Sequence, residues 1–218
     1  MSNPKSFRPA CIRKAVAAGM LITMGCAVRL AVGGLPGVVL FAAGLYFVMM
    51  MNAQLFTGIA AEADIRWGDK ALILAGNILG AFFTASAIAS FSPAVREAAV
   101  TLMGSFRYGL GTYTAAVFCG ICMWLATRRV SGVPQPLSIL FGVCVFILSG
   151  YTHSIAMAGY VGLAAPDGFA AFWGYTLSRL PWLLLCALCN MVGSYLAFFL
   201  LGDLDGLRLS DLLTGKRG

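Results

Sequence analysis

The sequence predicts an all-α integral membrane protein: six transmembrane helices in an inverted 3+3 repeat, with the second and fifth helices broken. Three observations carry this reading. The chain is 60% hydrophobic and 11% charged, with a mean hydropathy of +0.88, whereas soluble domains carry roughly 25% charged residues. Its charges punctuate long apolar runs and do not cover a surface. Two of those runs, Leu30–Ala61 and Val130–Pro166, are free of charge, and each contains a polar, glycine-bearing break.

The elements follow in order along the chain. The first apolar run, Ala15–Val28, comes after Arg13 and Lys14, and the first helix is read as Ala15–Val32. The run imitates a signal peptide, but more spans follow, so it is read as a retained first helix. Arg29 lies near its outer end and is expected to snorkel toward the headgroups. Gly33-Gly34-Leu35-Pro36 makes the turn into a second helix, Gly37–Met51. The third spans Ala71–Phe91, the fourth Gly109–Thr127, the fifth Pro136–Gly150 and the sixth Leu180–Leu201.

The two charge-free runs are too long for single helices. At a rise of about 1.5 Å per residue they would reach roughly 48 and 55 Å, against a hydrocarbon core of about 30 Å. The breaks are Asn52-Ala53-Gln54-Leu55-Phe56-Thr57-Gly58 and Ser149-Gly150-Tyr151-Thr152-His153-Ser154. Non-helical backbone at membrane depth is tolerated where it is buried in protein or lines a cavity. The breaks are therefore the candidate pore.

The third and sixth helices share a pattern: Asn77-Ile78-Leu79-Gly80-Ala81 and Asn190-Met191-Val192-Gly193-Ser194. Recurrence at equivalent places predicts one transmembrane domain, 1–218, made of repeats 1–107 and 108–218. With three helices per repeat, the second is inverted, and paired broken helices in such repeats mark a substrate path near the midplane. Lys5, Arg8, Arg13, Lys14, Arg66, Lys70, Arg128, Arg129, Arg208, Lys216 and Arg217 fall on one side, 11 of the 15 basic residues. Arg29, Arg96, Arg107 and Arg179 fall on the other. By the positive-inside rule both termini are cytoplasmic, in the cell's inner membrane.

The net charge of +7 is not a nucleic-acid signal. That would need a clustered basic face with aromatics, and here the basic residues stand between apolar runs. Seven cysteines include two C-x-x-C pairs, Cys119/Cys122 and Cys186/Cys189. Their surroundings are apolar, so they are read as small core residues with no metal and no cofactor.

His153 is the one histidine in the chain. An ionisable residue at membrane depth is a functional candidate, able to donate a hydrogen bond or exchange a proton. In the first break Asn52, Gln54 and Thr57 are polar, and Thr57 is placed to face His153. Free backbone N–H groups at the breaks would attract an anion. Phe41 and Leu45 share a helix face at i, i+4. Phe146 is placed two turns before His153 on one helical face. These, with Leu55 and Phe56, are candidate hydrophobic constrictions.

These segments carry a resemblance. Asn52–Gly58 resembles the Glu- or Gln-Leu-Phe-Thr motif of the formate/nitrite transporter family, and Gly150–Ala156 resembles that family's motif around a central pore histidine. Asn77–Ala81 and Asn190–Ser194 are similar to its third- and sixth-helix motifs, and Phe41, Leu45 and Phe146 stand at its constriction offsets. Lys14 matches a basic residue of the first helix. The resemblance implies an aquaporin-like fold and a homopentamer in the lipid bilayer, with one pore per subunit for small monovalent anions. His153, Thr57, Asn52, Gln54 and Thr152 would lie at the pore centre, and Lys14, Asn77 and Asn190 would support it. Thr152 stands where many members have an acidic residue, and Met157 where many have Asn. Formate or nitrite is the family default; hydrosulfide, acetate and lactate are the alternatives.

Other classes fit less well. An intramembrane serine protease would need a partnered Ser and His, and Ser154 is adjacent to His153. No Gly-x-Ser-x-Gly elbow is present. A neutral-solute channel of the aquaporin type would carry Asn-Pro-Ala motifs, which are absent. A non-transporting subunit leaves His153 unexplained. The chain is therefore read as a transporter or channel and not an enzyme.

Overall fold

The computed structural model describes residues 9–128 and 134–202. Among these the chain is helical, with no strand: α1 (Pro9–Val32), α2 (Gly34–Met50), α3 (Phe56–Ile59), α4 (Trp67–Phe91), α5 (Pro93–Ser105), α6 (Leu110–Thr127), α7 (Gln135–Leu148), α8 (Ser154–Leu163), α9 (Phe169–Ser178) and α10 (Leu180–Leu201). Four of them, α1, α4, α6 and α10, are long and apolar enough to cross a bilayer. The apolar helices α2, α7 and α8 are shorter, because the chain turns out of helix at both predicted breaks. Of the basic residues counted for topology, Lys5, Arg8, Arg129, Arg208, Lys216 and Arg217 lie outside the described residues.

The long helices pack in pairs, α1 on α4 and α6 on α10. Each crossing is closed by glycines. A Cβ on Gly80 would lie 2.1 Å from the Val16 carbonyl oxygen, and one on Gly19 would lie 2.0 Å from that of Asn77. In the other pair a Cβ on Gly193 would lie 1.8 Å from the Val117 oxygen, and one on Gly120 would lie 1.9 Å from that of Asn190. No side chain fits either place, so the backbones approach as closely as small-residue membrane packing permits. The glycine of Asn-x-x-Gly thus serves the helix crossing.

The helices α2 and α7 also end alike. Met51 and Ala53 donate to the carbonyls of Phe47 and Val48, both at 2.9 Å. Ser149 and Tyr151 donate to those of Val145 and Phe146, at 3.0 and 2.8 Å. Between them Asn52 (φ 50°) and Gly150 (φ 69°) take the left-handed conformation. This is the Schellman ending, which satisfies terminal carbonyls and turns the chain out of the helix.

Three expectations need correction. The helix boundaries move: α1 begins at Pro9 and α4 at Trp67, because charged residues at a helix start do not interrupt its hydrogen bonds. Helices α5 and α9 were not anticipated. Arg96 reads as a charge between the third and fourth helices, yet it lies on α5, which buries Val95, Ala99 and Met103 at intervals of four, packs on α8 and α1, and pairs Arg96 with Asp167 across to the α8–α9 turn. Arg29 does not snorkel. Its Nη1 donates to the Tyr160 hydroxyl at 2.7 Å, and its guanidinium lies over the Tyr160 ring at 5.4 Å. Its charge is held by an inward aromatic partner.

The core runs through the middle of the bundle. Helix α8 is buried along its whole length and packs between α4 and α1. An apolar helix buried on every face is interior.

Candidate functional site

Each break is held by one asparagine. Asn77, fully buried, accepts from the Phe56 N–H at 2.7 Å through Oδ1. Its Nδ2 donates to the carbonyls of Ala15 at 2.7 Å and Gln54 at 2.8 Å. Asn190, equally buried, accepts from the Ser154 N–H at 2.9 Å and donates to the carbonyls of Ala116 at 2.7 Å and Thr152 at 2.8 Å. Both side chains do the same work: they satisfy the first N–H of a half-helix and a carbonyl of the extended segment before it. Backbone groups in a membrane interior must be paired, and an amide side chain has the donors and acceptor to do it.

Several backbone donors at the breaks are already paired, while the Thr57 and Ile155 N–H groups make no backbone hydrogen bond. Phe56 and Ser154 are bound by the asparagines. Gly58 and Ile59 donate to the Leu55 carbonyl, Ala156 donates to the His153 ring and Met157 to the His153 carbonyl.

His153 caps α8. Its Nδ1 accepts the Ala156 N–H at 3.0 Å, which leaves no room for a proton there. The ring is then the neutral Nε2–H tautomer, set by the bond at its other nitrogen. Nε2 lies 2.9 Å from Thr57 Oγ1 and is the donor of that pair. Thr57 is fully buried and His153 is 2% exposed. The two breaks therefore meet in the core, one side chain from each.

Phe146 stacks on the His153 ring, with centroids 5.5 Å apart and planes 24° apart. Phe41 meets Phe146 edge-on at 5.8 Å. The Phe146 contact was expected from a shared helical face. Helix α7 ends at Leu148, and the contact arises because the chain folds back at Gly150. Leu45 and Leu55 are buried in the same apolar cluster as Phe41 and Phe146. Phe56 is not with them. It is buried in a second cluster with Ala15, Ile73 and Ala187, because adjacent residues at a helix start point in different directions.

The remaining candidates act through their backbones. Thr152 is buried and offers its carbonyl to Asn190. Gln54 offers its carbonyl to Asn77, and its N–H donates to the Lys14 carbonyl at 3.2 Å. Asn52 is exposed and forms the turn, apart from His153. A surface pocket of about 300 Å³ is lined by Arg107, Thr112, Gly150 and Thr152 among others, so it reaches the residue next to His153. Among the described residues no three His, Cys, Asp or Glu side chains gather as a metal site, and the C-x-x-C thiols are free.

Two contributors escaped the sequence reading. Lys70 is 3% exposed, although it was counted with the surface charges. Arg29 and Tyr160 tie α1 to the far end of α8. The one available signal was the aromatic at Trp67, three residues from Lys70 and so on its helix face.

No family model matches the sequence, and no curated protein matches it. Solved structures do match its backbone. A pentameric formate channel with formate bound superposes with a TM-score of 0.72 at 18% identity, over 91% of this chain and 97% of that one. An FNT family ion channel superposes with a TM-score of 0.66 at 20% identity, over 88% of this chain and 89% of that one. This chain has the fold of those two channels.

Proposed function

We propose that the chain is a channel or transporter for small monovalent weak-acid anions, formate or nitrite in type, and a member of the formate/nitrite transporter family. The observation that carries this is the meeting of His153 and Thr57. Two helix breaks deliver one hydrogen-bonding side chain each to a buried point, with aromatic rings packed against it. A purely structural core would have little reason to break two helices there. The shared fold with a formate-bound channel supports the anion class. The paired Schellman endings, asparagine clamps and glycine crossings support two inverted three-helix repeats. The pentameric state of the matched formate channel supports a homopentamer with one pore per subunit.

The mechanism follows from desolvation. A bare anion entering an apolar passage loses its water at a large cost. The pocket beside Arg107 brings it to Thr152, with a fixed positive charge to raise its local concentration. It then displaces Thr57 from His153 and accepts hydrogen bonds from Nε2–H and the Thr57 hydroxyl. Phe41, Phe146, Leu45 and Leu55 exclude water and larger solutes on the way.

In this arrangement His153 is a hydrogen-bond donor. It cannot surrender its Nε2 proton without first gaining one at Nδ1, which means releasing Ala156. Proton coupling would therefore require the α8 cap to open. Flux into liposomes of formate, nitrite, hydrosulfide, acetate and lactate tests the reading. Passage of at least one of them, lost in His153→Phe, is expected. Absence of flux for all of them in correctly assembled protein would refute it.

A further inference from the structure

Helix α3 has only four residues, yet it carries Thr57 and follows Leu55. A single turn of helix does not hold itself together in isolation, since the nucleation cost exceeds what one or two hydrogen bonds return. Something outside α3 fixes it. At its start that is Asn77, which holds the Phe56 N–H. At its end the Ala60 carbonyl accepts from Lys70 Nζ at 2.7 Å.

We propose that Lys70 is a positioning residue: its buried ammonium pins the end of α3, and through α3 it fixes Leu55 and Thr57 against His153. This rests on the channel reading for its functional consequence, though not for the structural one.

The environment of Lys70 supports the assignment. A lysine serving only as a topology signal would keep its ammonium in water. Lys70 is 3% exposed. Besides Ala60, Nζ donates to the Tyr195 hydroxyl at 3.1 Å. It also lies 4.8 Å from the Trp67 ring and 5.4 Å from the Tyr195 ring. Burial of an ammonium is costly, and two acceptors with two aromatic faces are the compensation. Helices α4 and α10 thus build a cage whose backbone contact is the Ala60 carbonyl, one residue past the end of α3.

The spacing agrees. Lys70 and Asn77 are seven residues apart on α4, two turns on one face. One face of α4 therefore grips both ends of α3. The other break needs no such lysine, because α8 has ten residues and supplies its own cap from His153.

The test is amide exchange by mass spectrometry on purified protein in nanodiscs. Lys70→Met keeps the length and apolar body of the side chain and removes the donor. Exchange at residues 56–61 is expected to be at least about tenfold faster, the factor for losing a charge-assisted hydrogen bond, with α8 and α10 unchanged. Tyr195→Phe, which keeps the ring and removes one partner of Nζ, should give a smaller acceleration in the same segment, about threefold. In liposomes the acetate-to-formate flux ratio should rise in Lys70→Met as Leu55 and Thr57 lose their register. Unchanged exchange at 56–61 in either variant overturns the proposal, and so does acceleration spread evenly over α8 and α10. If the wild type passes no anion, the channel reading fails, and the exchange experiment still decides whether Lys70 holds α3.

Discussion

Replacing each clamping asparagine by alanine should cost the same amount. Asn77→Ala and Asn190→Ala each remove three hydrogen bonds, with lengths of 2.7, 2.7 and 2.8 Å in the first case and 2.9, 2.7 and 2.8 Å in the second. Each leaves the first N–H of a half-helix and the carbonyl of Gln54 or Thr152 without that partner, while the Ala15 and Ala116 carbonyls sit inside α1 and α6 and lose a second donor. Unsatisfied buried groups cost about 1–3 kcal/mol each in soluble proteins. Hydrogen bonds between membrane helices average nearer 0.6 kcal/mol, with a maximum of about 1.7, because the unfolded state in lipid finds partners too. Three bonds therefore give about 2–5 kcal/mol per substitution. Equilibrium unfolding in mixed micelles, with denaturing detergent as titrant, measures this directly. A cost below about 1 kcal/mol would show that water or a shifted backbone replaces the amide. Costs differing by more than about 2 kcal/mol would refute the equivalence of the two breaks, and with it the inverted repeat.

His153→Phe should reduce anion flux about ten- to a hundredfold, the loss of a donor to a charged ligand, while His153→Asn retains a donor and stays closer to wild type; stopped-flow flux into liposomes reads both. Leu45→Ala with Phe146→Ala should increase flux of larger anions relative to formate, since both side chains are buried in one apolar cluster and Phe146 stacks on His153; an unchanged selectivity would leave them as packing residues. Gly120→Ala places a Cβ 1.9 Å from the Asn190 carbonyl oxygen and must push α6 from α10. It should prevent assembly seen by size-exclusion chromatography, whereas Gly174→Ala, with nothing within 4 Å, should be silent. Reporter tags at the two termini should both read cytoplasmic.

The sequence by itself determined the membrane class, the places where helix must stop, and the residues that hold the stops. Hydropathy measures transfer from water to lipid, so it locates spans, and a polar break in a charge-free run is conspicuous against it. Asn77 and Asn190 were visible because a buried amide in an apolar helix needs partners and the same pattern occurred twice. What lay beyond the sequence was direction. Thr57 and His153 are 96 residues apart, and only the packed bundle brings their side chains to 2.9 Å. The same packing turned Phe56 away from Leu55, drew Arg29 inward to Tyr160, and put Lys70 in an aromatic cage where its charge alone suggested a surface. It also set the tautomer of His153, because the proton on that ring depends on where the Ala156 N–H points. Hydropathy and period are properties of single segments. Which face meets which neighbour depends on close packing among helices distant in sequence, and that is decided only when the whole bundle forms.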